Sequence, residues 1–580
     1  MPIPGQPRNV KKKGWVVMRN WFGLLAAVAG AVLLAIVATT PPAPVGSDAP
    51  ATAFSAARAM ADIREIGRAP HPTGSTENAV LRDYLIARLR SMGMTVDAPV
   101  AAMSADAAKR LAGWSKSSAP PPSLTNIVAV LPGRDRGLPA VLLMAHHDSV
   151  WGSPGAADDG AGVASILETV RAIRAQGQPG RDLMVLLSDG EELGLEGAKA
   201  FFAGDPRRAR VGVIVNLETR GGGGRASMFE TGSDNGAMMA LFGRSVTRPV
   251  GTSLSVFIYK KLPNSTDYTV AKKLGVPGFN FAFIGRPSLY HSPLATPDAL
   301  DQGALQDMGR QVLDLTRGLL AAPALPGKAA DSVFFDAFGL VFVNYSAAVG
   351  WVILVLGAGG YAVAAWRQAT LGEVARGAGG LLALTLVAGL ALYLVNLVSG
   401  AGGQTNYYDR LAAIPRLEVQ ALLVCLAALV LFRRRLPSNA SGIAGAAVPL
   451  LLLGLILQAT APTAAYPLAV PLMVGGLALA LRRYTTTVGV AAVIAAAMLG
   501  VGYMLGFGFF LLQAVGPKTP MIAAVPLAIS TVLLLPLIPA IDRRRATVTS
   551  VVLLALAIGI ALWVLLDPIA PSVAAYSTDH

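Results

Sequence analysis

Val141-Leu-Leu-Met-Ala-His-His-Asp-Ser-Val150, with Ala157-Asp-Asp-Gly160 close behind it, is the stretch on which the fold of this chain turns. Val141 to Ala145 is a continuous apolar run that stops abruptly at polar residues, the pattern of a short strand buried on both faces. His146, His147 and Asp148 stand where that strand ends. In open α/β sheets, ligands bind beyond the carboxyl ends of the strands. Asp158-Asp159 follows on a glycine-rich turn, before a helical pattern from Ala161 to Gln176. A histidine and an aspartate from adjacent strand-end loops can face one centre, and neutral imidazole with carboxylate suits zinc.

The chain has 580 residues, more than one ordinary domain holds. Its apolar residues are unevenly placed. Roughly the first forty and everything after about 330 read as membrane-like, and residues 47–325 read as a soluble domain. The formal charge of +14 raises nucleic acid as a partner. Of the 48 basic and 34 acidic residues, however, 30 and 26 lie between positions 41 and 330. Most of the excess therefore falls in loops between apolar segments, which is the positive-inside bias of a membrane protein and argues for a lipid bilayer and against nucleic acid. The single cysteine, Cys425, lies in an apolar run, so no intrachain disulfide forms.

Lys11-Lys12-Lys13 precede an apolar, uncharged run from Trp21 to Thr39 that is long enough to span. The expectation is a cytoplasmic tail (1–14), an uncleaved signal anchor (15–39) and a Pro-rich linker (40–47). A cleaved signal peptide is the competing reading. Residues 340–566 predict a transmembrane domain of about eight helices, at about 345–366, 379–399, 417–432, 443–460, 464–481, 487–513, 521–541 and 547–566. Abundant Gly and Ala allow these helices to pack closely. With the N-terminus in the cytoplasm, Arg367 and Arg376, Arg433 to Arg435, Arg482-Arg483 and Arg543 to Arg545 all fall in cytoplasmic loops. The soluble domain (48–325) and the tail (567–580) then face the other side. Asn396 and Gln458 are the notable polar residues within the spans, and the lack of a mid-span charge weakens a transporter reading. The Ala- and Gly-rich composition and a soluble domain without cysteine favour a bacterial inner membrane with a periplasmic domain. An organelle membrane with a lumenal domain is the alternative.

Within the soluble domain, Val80, Leu81, Tyr84, Leu85, Leu89 and Met92 recur at helical spacing over 77–92. Strands are predicted at 125–131, 141–145, 182–187, 211–217 and 279–283. Helices are predicted from Ala161, up to about Phe202, and from Pro297 to about Leu320. Strands alternating with helices imply an α/β fold, a three-layer α/β/α sandwich around a largely parallel sheet.

The predicted strand ends carry His146, Asp158, the pair Glu191-Glu192, Glu218 and His291 in order. Two histidines and three carboxylates hold two zinc ions if one carboxylate bridges, which leaves one Glu as a base. The adjacent Glu191 and Glu192 can divide the work, one ligating and the other handling protons. Asp148 can fix the His146 imidazole from behind.

These residues resemble the co-catalytic zinc exopeptidase family of aminopeptidase Y, the secreted bacterial leucyl aminopeptidases and glutamate carboxypeptidase. The resemblance covers about 280 residues. It implies metal ligands at His146, Asp158, Glu192, Glu218 and His291, with Asp158 bridging. It implies Glu191 as the catalytic base and Asp148 as the neighbour of the first histidine. His71-Pro-Thr-Gly-Ser-Thr-Glu-Asn78, Asn216-Leu-Glu-Thr-Arg-Gly-Gly-Gly-Gly-Arg225 and Asn264-Ser-Thr-Asp267 resemble the family's membrane branch, the endoplasmic-reticulum metallopeptidase and the fungal vacuolar membrane proteases. In one departure, Ala295 stands four residues after His291, where many members carry an Asp that supports that histidine.

The resemblance implies a membrane-anchored two-zinc peptidase that hydrolyses peptides with metal-activated water and removes N-terminal residues. Carboxypeptidase action, glutaminyl cyclisation and a non-catalytic membrane scaffold are the alternatives. His71, His147 and His580 read as packing or surface residues. Asp159 reads as a helix-start residue or a support for the site. Arg220 and Arg225, flanking four glycines, are candidates for substrate contact against the bland reading of a flexible loop. Asn264-Ser-Thr reads as a loop near the site rather than a glycosylation sequon.

Overall fold

The computed structural model describes residues 8–403 and 406–567. Of the sequence expectations, the first seven residues of the N-terminal tail, the C-terminal tail from 568 and His580 lie outside them. The chain divides into two compact units. An α/β unit comprises residues 40–346 together with 406–413, and a helical unit comprises 8–39, 347–403 and 414–567.

In the α/β unit the strands are β1 (Thr95–Asp97), β2 (Val100–Ala101), β3 (Leu124–Thr125), β4 (Ile127–Leu131), β5 (Ala140–His146), β6 (Leu183–Ser188), β7 (Val211–Thr219), β8 (Ser227–Thr231), β9 (Gly278–Phe283), β10 (Ser332–Ala337) and β11 (Val341–Ser346). Seven of them form one sheet in the order β1-β4-β6-β5-β7-β9-β8. The pairs β6/β5, β5/β7 and β7/β9 are parallel. The outer pairs β1/β4, β4/β6 and β8/β9 are antiparallel. The parallel character is thus confined to the four central strands, and the sheet as a whole is mixed. Edge strands β1 and β8 and the hairpin β10/β11 were not among the predicted strands, and the hairpin carries this unit past 325 to Ser346.

Strand β5 is buried along its whole length. Val141, Leu143 and Ala145 join the larger core, beneath the helices Ala56–Ile66, Gly160–Arg174 and Gln302–Ala321. Leu142 and Met144 point to the opposite core, against Phe201 and Phe202 of the helix Glu196–Gly204 and Tyr268 of the helix Asp267–Lys273. Alternation of side chains across a strand explains why a continuous apolar run is needed, since both faces are covered by helices. These are the three layers. The connections from β5 lead first to β6 on one side and then to β7 on the other, so the strand order reverses at the end of β5.

Helix Gln302–Ala321 is tied to the glycine run by a buried ion pair. Asp307 accepts from Arg225 Nε at 2.6 Å, from Arg310 Nη2 at 3.0 Å and from the Ala226 amide at 3.3 Å. Arg225 is therefore a structural residue, and its candidacy for substrate contact falls away.

In the helical unit, nine long or medium helices among the described residues occupy the places of the nine expected spans, beginning with Arg8–Thr39 and ending with Arg543–Leu566. Seven are long and apolar enough to cross a membrane. The helix Tyr466–Tyr484 ends on Arg482 and Arg483, and the segment expected at 521–541 holds only the 11-residue helix Ala524–Leu534 after a short turn of 3-10 helix. Small residues stand where helices approach. A Cβ on Gly360 would lie 2.4 Å from the Gly476 backbone, and one on Gly377 would lie 2.0 Å from Gly442 O. Gly therefore permits these crossings, where a larger residue would hold the backbones apart. Gln458 donates to Ala347 O at 2.7 Å and Asn396 to Pro517 O at 3.0 Å, so both polar residues serve helix packing.

Removing one partner of a buried ion pair leaves an uncompensated charge and costs about 3–5 kcal/mol. Asp307→Ala is expected to lower the unfolding free energy of the α/β unit by about that amount, read by denaturant titration with a probe in this unit. A loss below about 1 kcal/mol would mean that the pair does not pin the glycine run.

Candidate metal centre

The four central strands end on one edge of the sheet, and each contributes to one buried cluster. His146 is the last residue of β5, and Asp158 lies on the loop after it. Glu191 and Glu192 follow β6 on the turn Asp189-Gly190-Glu191-Glu192. Gly190 has φ +71, and a Cβ there would lie 2.7 Å from Leu124 Cδ2, so this turn requires glycine. Glu218 is within the end of β7, and His291 is in the loop after β9. His291 itself has φ +51, a left-handed conformation that is uncommon for a non-glycine residue and is often found where the surroundings fix a functional side chain.

Asp158 is at the centre. Its Oδ1 is 3.2 Å from His146 Nε2, and its Oδ2 is 3.1 Å from His291 Nε2. His146 Nε2 is also 3.8 Å from Glu218 Oε2, and His291 Nε2 is 3.1 Å from Glu192 Oε1. Two donor groups result, His146/Asp158/Glu218 and Asp158/Glu192/His291, each with its ligand atoms within 4.8 Å of one another. They share Asp158, which turns one oxygen to each. Glu191 stands in a third grouping with His146 and Glu192 and is more exposed than either.

Asp148 works through both its backbone and its side chain. Its carbonyl accepts from His146 Nδ1 at 2.9 Å, closer than its carboxylate at 3.5 Å. The carboxylate oxygens accept from the amides of Glu191 at 3.1 Å and Glu192 at 3.3 Å. One residue therefore fixes the imidazole tautomer and holds the acid pair. Asp159 combines its two readings: it caps the helix Gly160–Arg174 through the Gly162 amide at 3.0 Å and accepts from the His146 amide at 3.4 Å.

Burial pulls the His146 pKa down, but the hydrogen bonds to Asp148 and Asp158 hold it well above the usual imidazole range. Burial raises the carboxyl of Asp158, yet its bonds to the two histidines bring it to about 2. Burial, then the neighbouring acids, push Glu191 well up, and burial raises Glu192 and Glu218 as well. His291 is held at about 9, with burial opposed by Glu192 and Asp158. The ion pairs of Asp158, Glu192 and Glu218 run to histidines alone. Three buried carboxylates and the half-buried Glu191 around two imidazoles form a cluster rich in acid, whose negative charge divalent cations offset. The donor set, imidazole nitrogen and carboxylate oxygen in two groups with a shared aspartate, fits two zinc ions.

The other candidates separate cleanly. His147 contacts Thr125 O at 3.1 Å and Asn78 Nδ2 at 3.3 Å, and His71 contacts Ala69 O at 2.9 Å, so both are buried packing residues. Asn264 is exposed, whereas Asp267 is buried and bonded to Ser188 Oγ, the residue at the end of β6. Arg220 Nη2 donates to the Tyr407 hydroxyl at 2.6 Å.

Several supporting residues were not singled out from sequence. Asn216 Nδ2 donates to Glu218 Oε1 at 3.4 Å and to Asn280 Oδ1 at 2.9 Å, which aims the glutamate. Tyr290 stacks on His291 with ring centroids 3.6 Å apart. Tyr408 places its hydroxyl 3.2 Å from His291 Nδ1. The available signal for Tyr408 was a polar, aromatic stretch, Asn406-Tyr-Tyr-Asp409, between two apolar runs, but aromatic residues also belt membrane interfaces.

Residues 126–316 match peptidase family M28. Endoplasmic reticulum metallopeptidase 1 of Mus musculus is 29% identical over 303 residues, which cover 49% of this chain and 33% of that protein. The vacuolar membrane protease of Eremothecium gossypii is 32% identical over 304 residues, covering 50% of this chain and 30% of that protein. The chain thus spans about a third of the length of these curated relatives. Among solved structures, an aminopeptidase from Aneurinibacillus sp. strain AM-1 aligns with 16% identity and a TM-score of 0.37, over 48% of this chain and 97% of that one. The stretch 126–316 that matches peptidase family M28 includes all six residues of the buried cluster.

Proposed function

We propose that the chain is a membrane-anchored metallopeptidase whose site holds two zinc ions and hydrolyses peptides from the N-terminal end. The observation that carries this reading is Asp158, with one oxygen toward His146 and Glu218 and the other toward His291 and Glu192. A glutaminyl cyclase with one zinc would need only one of these groups. Bound zinc supplies Lewis acidity, which polarises the peptide carbonyl and acidifies water. His146, Asp158 and Glu218 would hold one ion, and Asp158, Glu192 and His291 would hold the other.

Glu191 is the proton carrier. Its carboxyl stands beside His146 and Glu192 and is more exposed than either, which leaves it free to meet a water and a substrate. It takes the proton of the attacking water and returns it to the leaving amine. Asp148 holds the Glu191 amide and the His146 ring, so base and ligand keep a fixed relation. The aminopeptidase form of the reaction rests on the resemblance of these motifs to the exopeptidases named above.

The topology proposed is a cytoplasmic N-terminus, nine crossings, and the peptidase domain on the far side, in the periplasm of a bacterial inner membrane. It is supported by the arginine clusters and by the segment 406–413, which belongs to the α/β unit after two intervening helices. An even number of crossings returns this segment to the domain's side.

Glu191→Gln keeps the size of the side chain but cannot accept the proton. Peptide hydrolysis is expected to fall about a hundred- to ten-thousand-fold with zinc content unchanged. The assay uses peptides with free and with blocked N-termini; a variant as fast as its parent removes Glu191 from this role, and equal cleavage of blocked peptides removes the aminopeptidase form. Asp158→Asn is expected to lose at least one zinc per chain in elemental analysis, because a neutral amide bridges two cations poorly; one tight zinc in the parent would favour the cyclase-like alternative. For topology, a reporter fused after His580 is expected to be active outside the cytoplasm and one fused near Arg434 inside. Both on one side would rule out nine crossings.

A further inference from the structure

His291 must keep one ring nitrogen for the metal and one for the protein. Its Nε2 lies 3.1 Å from both Asp158 Oδ2 and Glu192 Oε1, so this is the metal-facing nitrogen. The other, Nδ1, then carries the proton. A ligating imidazole is usually held from this side by an acceptor, which sets the tautomer, the ring angle and the basicity of the ligand. The motif that this stretch resembles carries an Asp four residues after the histidine. Here that position is Ala295, a buried apolar residue.

The structure fills the place from far along the chain. The Tyr408 hydroxyl oxygen lies 3.2 Å from His291 Nδ1, at a sequence separation of 117 residues. Tyr408 is buried within the α/β unit, although the sequence on either side of 406–413 belongs to the helical unit. Its own backbone is held: Asn406 caps the short helix Tyr407–Ala412 by accepting from the Tyr408 amide at 2.9 Å. Next to it, the Tyr407 hydroxyl accepts from Arg220 Nη2 at 2.6 Å, and Arg220 lies two residues beyond Glu218. Tyr290 stacks on His291, and its ring centroid is 6.4 Å from that of Tyr408. The imidazole is thus bounded by one ring on its face and one hydroxyl at its Nδ1.

We propose that Tyr408 is the positioning residue for His291, with its phenol oxygen accepting the Nδ1 proton in place of the absent carboxylate, so that a segment between two apolar helices completes the zinc site. The inference rests on the two-zinc reading. A phenol is a weaker acceptor than a carboxylate but holds the same tautomer, and its ring is anchored by packing. Tyr408 touches a ligand, not the substrate. Its loss therefore acts first on the metal.

The test uses the full-length chain in detergent, loaded with zinc and titrated with a competing chelator, and the same chain loaded with cobalt. Tyr408→Phe keeps the ring and removes the hydroxyl. One of the two zinc equivalents is expected to bind about 10- to 100-fold more weakly, the usual effect of removing such a partner, with the other within about twofold of its parent value. The cobalt absorption spectrum is expected to change for one equivalent only, and the unfolding temperature of the metal-free chain to stay level. A merely structural role would move the last quantity and leave the two equivalents alike. If the variant does not fold, a fluorinated tyrosine at 408 keeps the size and alters the hydroxyl, and the affinity of one equivalent is expected to shift at least threefold. Two equivalents with unchanged affinity overturn the proposal and leave the two-zinc reading standing. A parent that binds no zinc overturns both.

Discussion

A carboxylate held between two imidazoles, deep in the protein, sets the terms for the rest of this molecule. Asp158 is kept ionised by His146 and His291 while burial pushes Glu191, Glu192 and Glu218 toward their neutral forms. Such a concentration of acid has no counterpart among ordinary packing interactions, because buried charge is expensive unless it is paired. A scaffold that can impose it must be rigid. The four parallel strands, covered on both faces, provide that rigidity, and their common edge is where backbone and loops can converge on one point. The same logic accounts for Asp148, whose carbonyl and carboxylate tie the His146 ring to the Glu191-Glu192 turn. One residue does both tasks, through its backbone and its side chain, and the arrangement leaves little freedom for Glu191 to drift from His146 and Glu192.

The central strands and the order of the six cluster residues were legible in the sequence because both signals are local. A run such as Val141 to Ala145 has one sensible environment, and a polar residue at its end has one sensible direction. The sheet's edges were not legible. Strand β1 is three residues long and β8 holds Ser227, Glu230 and Thr231 in a five-residue stretch, so neither shows the alternation that marks a half-buried strand. The hairpin β10/β11 was absorbed into the approach to the first C-terminal helix, because Val341 to Tyr345 is as apolar as a span. The pairing of Asn216 with Asn280 was missed for a different reason. A buried amide pair announces itself only through its partners, and those partners lie on neighbouring strands. Tyr408 is the extreme case, a contact that no periodicity encodes.

The helical unit follows another rule. Apolar side chains on the lipid-facing surfaces of membrane helices gain little from each other, so closeness of backbones and a few polar contacts decide which helices pair. Gly360 against Gly476 and Gly377 against Gly442 are the places where a side chain would keep the backbones apart. Hydropathy marks where such helices lie but is blind to short ones. Ala524–Leu534 is helical for only 11 residues, with turns completing the apolar stretch around it. The arginine clusters are the complementary signal, since they report the side of the membrane and not the length of a helix.

The position of Tyr408 along the chain has a consequence for biogenesis. A ribosome delivers all the proposed metal ligands by His291, then the helices Ala347–Ala365 and Leu371–Asn396, and only afterwards the tyrosine that meets His291 Nδ1. Contacts of such long sequence separation close late, because the intervening chain must first be placed. On the two-zinc reading and the topology proposed above, a nascent domain would hold its second zinc loosely until two more helices are in the bilayer. Chains released early, or clipped before the second of those helices, would leave the bilayer's edge with a complete ligand set and a poorly held histidine. Proteolytic competence would then be a property of the inserted protein, acquired partway through its assembly.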